Sequence, residues 1–303
     1  MLVTGSSGLI GSVACSMLEN KGCNVITMDT RINPTNYAKP DFRNLLDSNE
    51  LSGAVKNVDG IVHLAAVSRV IDAQVNQELC RLTNVEGLRN LIYCAKKQVK
   101  TPWIVFASSR EIYGEPEYLP VNEDHLLKPI NVYGNCKKLA EEKLTDPVTS
   151  IPAIIFRYSN VYGSPFDYPT RVIPAFLWGT LTETPLRVDS PSHVFDFTHV
   201  KDAAGAIVAA VEKLTSDEFE GHKIFNLSTG KGTSLTQLID VLKDLTGKEL
   251  ETVAGKNRDY DVSRYIGDCR KVKRELGFQC QISLKEGLDL MIEECRKAWR
   301  LPD

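Results

Sequence analysis

Met1-Leu2-Val3-Thr4-Gly5-Ser6-Ser7-Gly8-Leu9-Ile10-Gly11 decides the fold. Its first four residues form a short apolar run of strand character, and Leu9 to Asn20 has the apolar spacing of a helix. The glycines between them follow the pattern G-x-x-G-x-x-G. In a strand–turn–helix setting, glycine permits a tight turn and lets backbone approach a pyrophosphate. The helix start adds unpaired N–H groups and a dipole that favours an anion. Taken alone, the glycine pattern also suits an ordinary structural turn. Asp29 strengthens the dinucleotide reading, because it closes the next apolar run 18 residues after Gly11. A carboxylate there accepts hydrogen bonds from ribose hydroxyls and repels a 2′-phosphate, which favours NAD over NADP. Arg31, two residues further on, is the feature that leaves room for NADP.

Working outward, apolar runs alternate with helical patterns. Strand-like runs occur at 24–29, 60–64, 103–107 and 152–157, with helices expected at 85–98 and 133–144. Continuous apolar strands separated by helices indicate a parallel sheet covered on both faces. The rhythm breaks after Arg157, where residues 158–191 are rich in Pro, Gly and Tyr and read as irregular structure with one short helix. A helix at 200–214, a strand at 223–227 and a helix at 235–246 follow. The expected architecture is α/β: a doubly wound parallel sheet with a smaller, discontinuous C-terminal lobe for substrate. The dinucleotide-binding domain would span 1–157, with 192–222 packing back on it, and the substrate lobe 158–191 and 223–303. Ligands of such folds sit at the carboxyl ends of the strands, here between the lobes.

Composition narrows the function. The 303 residues are 43% hydrophobic and 25% charged, with a formal net charge of −3. No basic cluster suggests a nucleic-acid partner. No apolar run approaches the ~20 residues needed to span a bilayer. Met1 leads directly into a strand without a basic and apolar leader, so a cytoplasmic location is expected. The eight cysteines form no C-x-x-C pair and have no histidine at metal-ligand spacing, so reduced thiols and no metal are expected. His63, His193 and His199 belong to no visible Ser-His-Asp arrangement, which sets hydrolase chemistry aside.

Tyr133-Gly134-Asn135-Cys136-Lys137 carries the strongest chemical signal. Residues four apart share a helical face, so phenol and ammonium can enter one site. A tyrosine of pKa ~10 is a poor base at neutral pH. A neighbouring cation favours the phenolate and makes Tyr133 a candidate general base toward a hydroxyl. The pair is common on surface helices, but Ser108-Ser109-Arg110-Glu111 follows a buried strand in the same half. A serine in that place can hydrogen-bond the reacting oxygen.

With these motifs in order, the chain resembles the extended short-chain dehydrogenase/reductases, in the family of nucleotide-sugar epimerases and dehydratases. The similarity runs essentially end to end. It includes His63-Leu64-Ala65-Ala66, Asn84-Val85-Glu86-Gly87, Arg157 to Gly163, Phe197 to Asp202 and Arg258 to Asp261. It implies a Rossmann-type fold with bound NAD, and a nucleotide-diphosphate sugar as substrate. Gly5, Gly8, Leu9, Ile10 and Gly11 would line the pyrophosphate, and Asp29 would hold the adenosine ribose. Asp41 and Phe42 would sit at the adenine, Leu64, Ala65 and Ala66 under the cofactor, and Asn84 beside that strand end. Tyr133 would be the base, and Lys137 would tune it and reach the nicotinamide ribose. Ser109 would be the catalytic serine, and Asn160 and Arg258 would contact the substrate's diphosphate. The resemblance also implies a homodimer through the helices at 85–98 and 133–144.

Two positions depart from the usual pattern. Phe195 stands where the family usually has an arginine aimed at the substrate phosphates, leaving Arg187 or His193 as substitutes. Glu111 follows Ser109-Arg110, where 4-epimerases carry a small or hydroxyl residue. It can act as acid/base in a 4,6-dehydratase or decarboxylase, or simply pair with Arg110 or another cation. The expected activity is 4-epimerisation through a transient 4-keto sugar. Dehydration or decarboxylation is the alternative, and a non-catalytic NAD-binding regulator is the alternative of another class.

Overall fold

The computed structural model describes residues 1–31, 44–216, 219–256 and 258–301. Asp41 and Phe42, expected at an adenine, lie outside these residues. The chain begins β1 (Leu2–Thr4), α1 (Leu9–Asn20), β2 (Ile26–Met28), α2 (Ser48–Ala54) and β3 (Gly60–His63). Helices α3 (Val70–Val75) and α4 (Gln77–Arg81), a π-helical turn (Leu82–Glu86) and α5 (Gly87–Lys96) lead into β4 (Trp103–Ser109). A 3₁₀ turn (Arg110–Tyr113) precedes α6 (Val132–Thr145), β5 (Ala153–Tyr158) and β6 (Asn160–Tyr162). Next come α7 (Val172–Thr182), β7 (Leu186–Val188), β8 (Val194–His199), α8 (Val200–Leu214) and β9 (His222–Leu227). The chain continues through β10 (Gly232–Ser234), α9 (Leu235–Thr246), β11 (Thr252–Ala254), α10 (Arg270–Leu276) and α11 (Leu284–Trp299).

The main sheet has the order β2-β1-β3-β4-β5-β9, with every neighbouring pair parallel. Such a sheet must be covered on both faces, and the strands show it: Ile104, Val105 and Ala153 to Phe156 are fully buried. On one face Ala14 and Leu18 of α1 pack with Ala203, Ala206, Ile207 and Ala210 of α8. The alanines let the helices approach closely. On the other face Leu51, Leu88, Leu91, Ala140 and Leu144 cover Leu2, Ile61 and Ile155. A third cluster joins α7, α9 and α11 through Phe176, Leu177, Leu238, Leu242, Leu288 and Met291. The strand order reverses at β1, with β2 on one side and β3 on the other. That switch point opens a crevice at the strands' carboxyl ends.

The structure departs from the sequence reading in two places. Residues 223–227 do not begin the smaller lobe: β9 pairs with β5 along its whole length, Ala153 opposite His222 through Tyr158 opposite Leu227. Helix α8 lies on the sheet and returns the chain parallel to β5. Residues 158–191 are also more regular than expected, because β6 pairs with β8 and β7 with β11. Both β6 and β7 are three residues long, too short to show a period of two.

Candidate active site

A cleft of about 1460 Å³ follows the carboxyl ends of the main sheet and is lined on its other side by residues 158–162, 164 and 166–174. Gly5, Gly8, Leu9, Ile10, Gly11 and Asp29 line one end of it, and Leu64, Ala65 and Ala66 form its floor. Gly5 has φ +72, and a β-carbon there would come 2.6 Å from the Ala65 nitrogen. A β-carbon at Gly11 would collide with the Gly5 carbonyl. Backbone therefore packs on backbone, and the cleft floor stays open. Gly8 caps α1 without a side chain, and no acidic residue occupies its first turn. The first N–H groups of a twelve-residue helix thus face the cleft, a setting that fits a diphosphate.

Asp29 is fixed at the end of β2. Its Oδ2 accepts from Ser7 N at 2.9 Å and its Oδ1 from Arg31 N at 2.9 Å. The Arg31 side chain is drawn to Asp29 and donates to the Tyr168 hydroxyl at 3.1 Å. The residue that left room for a 2′-phosphate is thus engaged elsewhere, which suits NAD. Asn84 lies behind the floor rather than in the lining. Its amide brackets Val67, accepting from Val67 N at 2.8 Å and donating to Val67 O at 3.0 Å. It positions the segment after β3, whose Val67 lines the cleft.

The opposite wall carries the chemistry. Tyr133 and Lys137 stand one turn apart on α6, both buried and both in the lining. Ser109, at the end of β4, lines the same wall as the Tyr133 phenol. Ser109 is itself oriented by accepting from Glu111 N at 3.2 Å. Burial pushes the Tyr133 phenol above its usual range, while the neighbouring Ser109 hydroxyl and the charge of Arg171 pull the other way. Lys137 donates to Ala107 O at 2.6 Å, and its Nζ lies 5.8 Å from the Tyr133 ring centre. Burial brings Lys137 down to about 8. Gly134 lets α6 press on the 3₁₀ turn, since a β-carbon there would meet Glu111 O at 2.5 Å.

Glu111 is buried and fully engaged. Its Oε1 pairs with Arg110 Nη2 at 2.8 Å, and its Oε2 accepts from Asn131 Nδ2 at 2.7 Å. Asn131 also caps α6 by accepting from Gly134 N at 2.8 Å. Asn160 and Arg258 line the cleft, Arg258 paired with Asp261 at 2.7 Å. Arg187 does not. It lies on β7 with its side chain 65% exposed and is tied to Asp189 at 2.8 Å, outside the lining. Phe195 does line the cleft, and the Arg110 guanidinium stacks over its ring at 5.0 Å. A cation therefore reaches this place from the end of β4. His63 is structural: Nδ1 is 2.7 Å from Thr4 Oγ1, and burial lowers its pKa to about 3.

Sequence reasoning missed Arg69, Tyr168 and Arg171, which line the cleft as a cluster. The guanidinium carbons of Arg69 and Arg171 lie 4.8 and 5.4 Å from the Tyr168 ring centre. Arg69 comes from the connection after β3, whereas Tyr168 and Arg171 come from the loop before α7, and no spacing rule links the two segments. Asn131 was detectable as a capping residue just ahead of the Tyr133 helix.

The NAD dependent epimerase/dehydratase family matches residues 1–228. A putative UDP-glucose 4-epimerase of Methanocaldococcus jannaschii is 33% identical over 306 residues, covering 96% of this chain and 97% of that protein. MoeE5, solved with UDP-glucose and NAD and also with UDP-glucuronic acid and NAD, is 29% identical with a TM-score of 0.89. The match covers 98% of this chain and 99% of MoeE5. The UDP-glucose 4-epimerase of Thermotoga maritima, solved with UDP-glucose, is 28% identical with a TM-score of 0.89, covering 98% and 99% of the two chains. Together with the glycine turn, Asp29 and the Tyr133–Lys137 wall, these similarities show that the chain belongs to the NAD-dependent epimerase/dehydratase family.

Proposed function

We propose that the protein is an NAD-dependent 4-epimerase of a UDP-sugar. The observation that carries this reading is that Tyr133, Lys137 and Ser109 line one wall of the cleft whose other end holds the glycine turn and Asp29, with Tyr133 one helical turn from Lys137. The names of the relatives supply the nucleotide and the position on the sugar. In this reading Tyr133 takes the proton of the sugar C4 hydroxyl while Ser109 steadies that oxygen. NAD supplies the acceptor and donor of the C4 hydride, and its oxidised ring adds a positive charge that favours the phenolate. Tyr133 then returns the proton after the 4-keto sugar has turned its other face to the cofactor. Lys137 holds its charge beside the phenol, and Asn160 and Arg258 orient the nucleotide end.

The state of Glu111 favours epimerisation over elimination. Both of its oxygens are occupied, one by a guanidinium and one by an amide. Neither oxygen can approach a sugar C5 without giving up one of these contacts. Two further parts of the reading are a homodimer through α5 and α6 and a reducing, cytoplasmic setting. All eight cysteines are free thiols, which suits that setting. No helix among the described residues is long and apolar enough to cross a membrane.

Proton NMR of the holoenzyme with a panel of UDP-, dTDP-, GDP- and CDP-sugars tests the activity. The expected product has unchanged mass and an inverted coupling pattern at C4, and Tyr133→Phe lowers kcat at least ~100-fold. Loss of water or CO₂ would instead make Glu111 an acid/base and the enzyme a dehydratase or decarboxylase.

A further inference from the structure

Tyr168 and the arginines around it have no task in the mechanism above, yet they join parts of the chain that the sheet alone leaves apart. Residues 164–171 lead from β6 toward α7 and are rooted in the smaller lobe. Trp299 of α11 donates to Pro165 O at 3.0 Å, and Arg171, just ahead of α7, pairs with Asp167 at 3.3 Å. From this root the loop reaches the carboxyl edge of the main sheet. Arg31 Nη1 donates to the Tyr168 hydroxyl at 3.1 Å, Arg69 Nη2 to Thr170 Oγ1 at 2.6 Å, and Arg171 Nη2 to Ser68 Oγ at 3.3 Å. The guanidinium carbons of Arg69 and Arg31 also lie 4.8 and 5.9 Å from the Tyr168 ring centre.

The strand order tells what this loop passes over. Arg31 follows β2 and Arg69 follows β3, and those two strands flank β1. A loop tied to both spans the end of β1, where the glycine turn begins. The turn and the loop both line the cleft, so the cleft runs between them. A dinucleotide at the switch point lies in that passage. Every tie joins two groups of the protein, so each forms with or without the cofactor. Such ties raise the barrier to entry and to exit alike and leave the binding equilibrium in place. Each is modest at so exposed a position, so the loop opens by an ordinary loop motion and not by unfolding.

We propose that residues 164–171 form a clasp over the bound dinucleotide, with Tyr168 as the positioning residue that keeps it shut. The clasp sets how fast NAD enters and leaves, not how tightly it is held. The assignment rests on the placement of the dinucleotide along the glycine turn and Asp29. Its use follows from the proposed 4-epimerisation. Hydride returned to the sugar leaves NAD unchanged, so turnover needs no cofactor exchange, whereas escape of the reduced cofactor in mid-cycle would strand the 4-keto sugar.

Holoenzyme loaded with radiolabelled NAD and chased with excess unlabelled NAD gives the release rate, and equilibrium titration gives Kd. The ratio of the two is the entry rate. Tyr168→Ala is expected to raise both rates at least ~tenfold while Kd changes by less than about threefold. Neither a lost ligand contact nor a damaged fold produces that pattern. Faster release with Kd weakened in the same proportion would make Tyr168 or its arginines direct ligands of the cofactor, and unchanged rates would leave the ties without effect. Either result would overturn the clasp. If Tyr168→Ala does not fold, the Y168F/T170V double variant keeps both shapes and cuts the ties to Arg31 and Arg69. Both rates should then rise about threefold or more. Asp29→Ala separates the clasp from its premise and should weaken NAD at least ~tenfold. An unchanged Kd there would overturn the placement of the cofactor and the clasp with it. A weakened Asp29→Ala beside unaltered rates in Tyr168→Ala would overturn the clasp alone. No sugar enters these measurements, so a failure of the epimerase reading in the NMR panel leaves the clasp standing.

Discussion

Lys137 is a cation placed where folding alone would not choose one. Burial lowers it from 10.5 to about 8, so at neutral pH the folded chain holds a charged ammonium at a cost of roughly 3 kcal/mol. The sign follows from the two states. Between pH 8 and pH 10.5 the unfolded chain binds the proton more tightly than the folded one, so this group makes stability rise with pH through that window. Lys137→Met keeps the bulk and removes the charge, leaving Ala107 O without its donor. The variant should unfold at an equal or higher denaturant concentration at pH 7, gaining up to ~2 kcal/mol, while kcat falls at least ~100-fold. A clear loss of stability would show that the ammonium serves the fold. For the wild type, turnover should decline as the pH rises past 8, because the proton that charges Lys137 is lost there. The Tyr133–Lys137 pair was legible because a spacing of four places two side chains on one helical face. Arg110 was seen only as a neighbour of Glu111. Its stacking on Phe195 joins two residues 85 positions apart, which no local pattern encodes.

At the scale of elements, the site depends on where α6 starts. Asn131 does three things there: it caps Gly134 N, donates to Glu111 Oε2, and donates to Tyr260 O at 3.1 Å. Replacing it with alanine removes a cap worth ~1 kcal/mol and leaves a buried carboxylate oxygen unpaired at ~1–3 kcal/mol more. Asn131→Ala should lower stability by roughly 2–4 kcal/mol in urea titration and reduce kcat, since Tyr133 sits in the first turn of α6. Asn131→Asp keeps the cap acceptor but sets a second carboxylate against Glu111. Its deficit should shrink as the pH falls toward 5 and the pair gains a proton, whereas that of Asn131→Ala should not. Identical pH profiles for the two would mean that the Glu111 contact is irrelevant. The capping signal was readable, but its coupling to Glu111 was not. Likewise Glu141 lies one turn beyond Lys137 and pairs with Arg157 of β5 at 2.8 Å. Arg157 stood out in the sequence, yet its partner became visible only once α6 lay on the sheet.

For the whole molecule, the alternation of apolar runs and helices was enough to imply a parallel sheet, because strands buried on both faces leave an unbroken apolar signature. It did not assign β9 to that sheet, since a five-residue apolar run reads the same in either lobe. The parallel pairing of β9 with β5 settles the matter in three dimensions. The proposed homodimer belongs to the same scale. Helices α5 and α6 pack side by side, and their outer faces expose Tyr93 at 55% and Leu139 at 45%. Apolar side chains on adjacent helices form the kind of self-complementary face that a two-fold dimer buries, at ~800 Å² per partner. Light scattering at micromolar concentration should give twice the chain mass. The Y93E/L139E double variant should give the single mass with an unchanged far-ultraviolet spectrum. Because the inner face of α6 carries Tyr133 and Lys137, loss of its outer support should also lower kcat. A wild type that scatters as a monomer would remove the dimer, and a monomeric variant with full turnover would show that α6 needs no second subunit to hold its catalytic face.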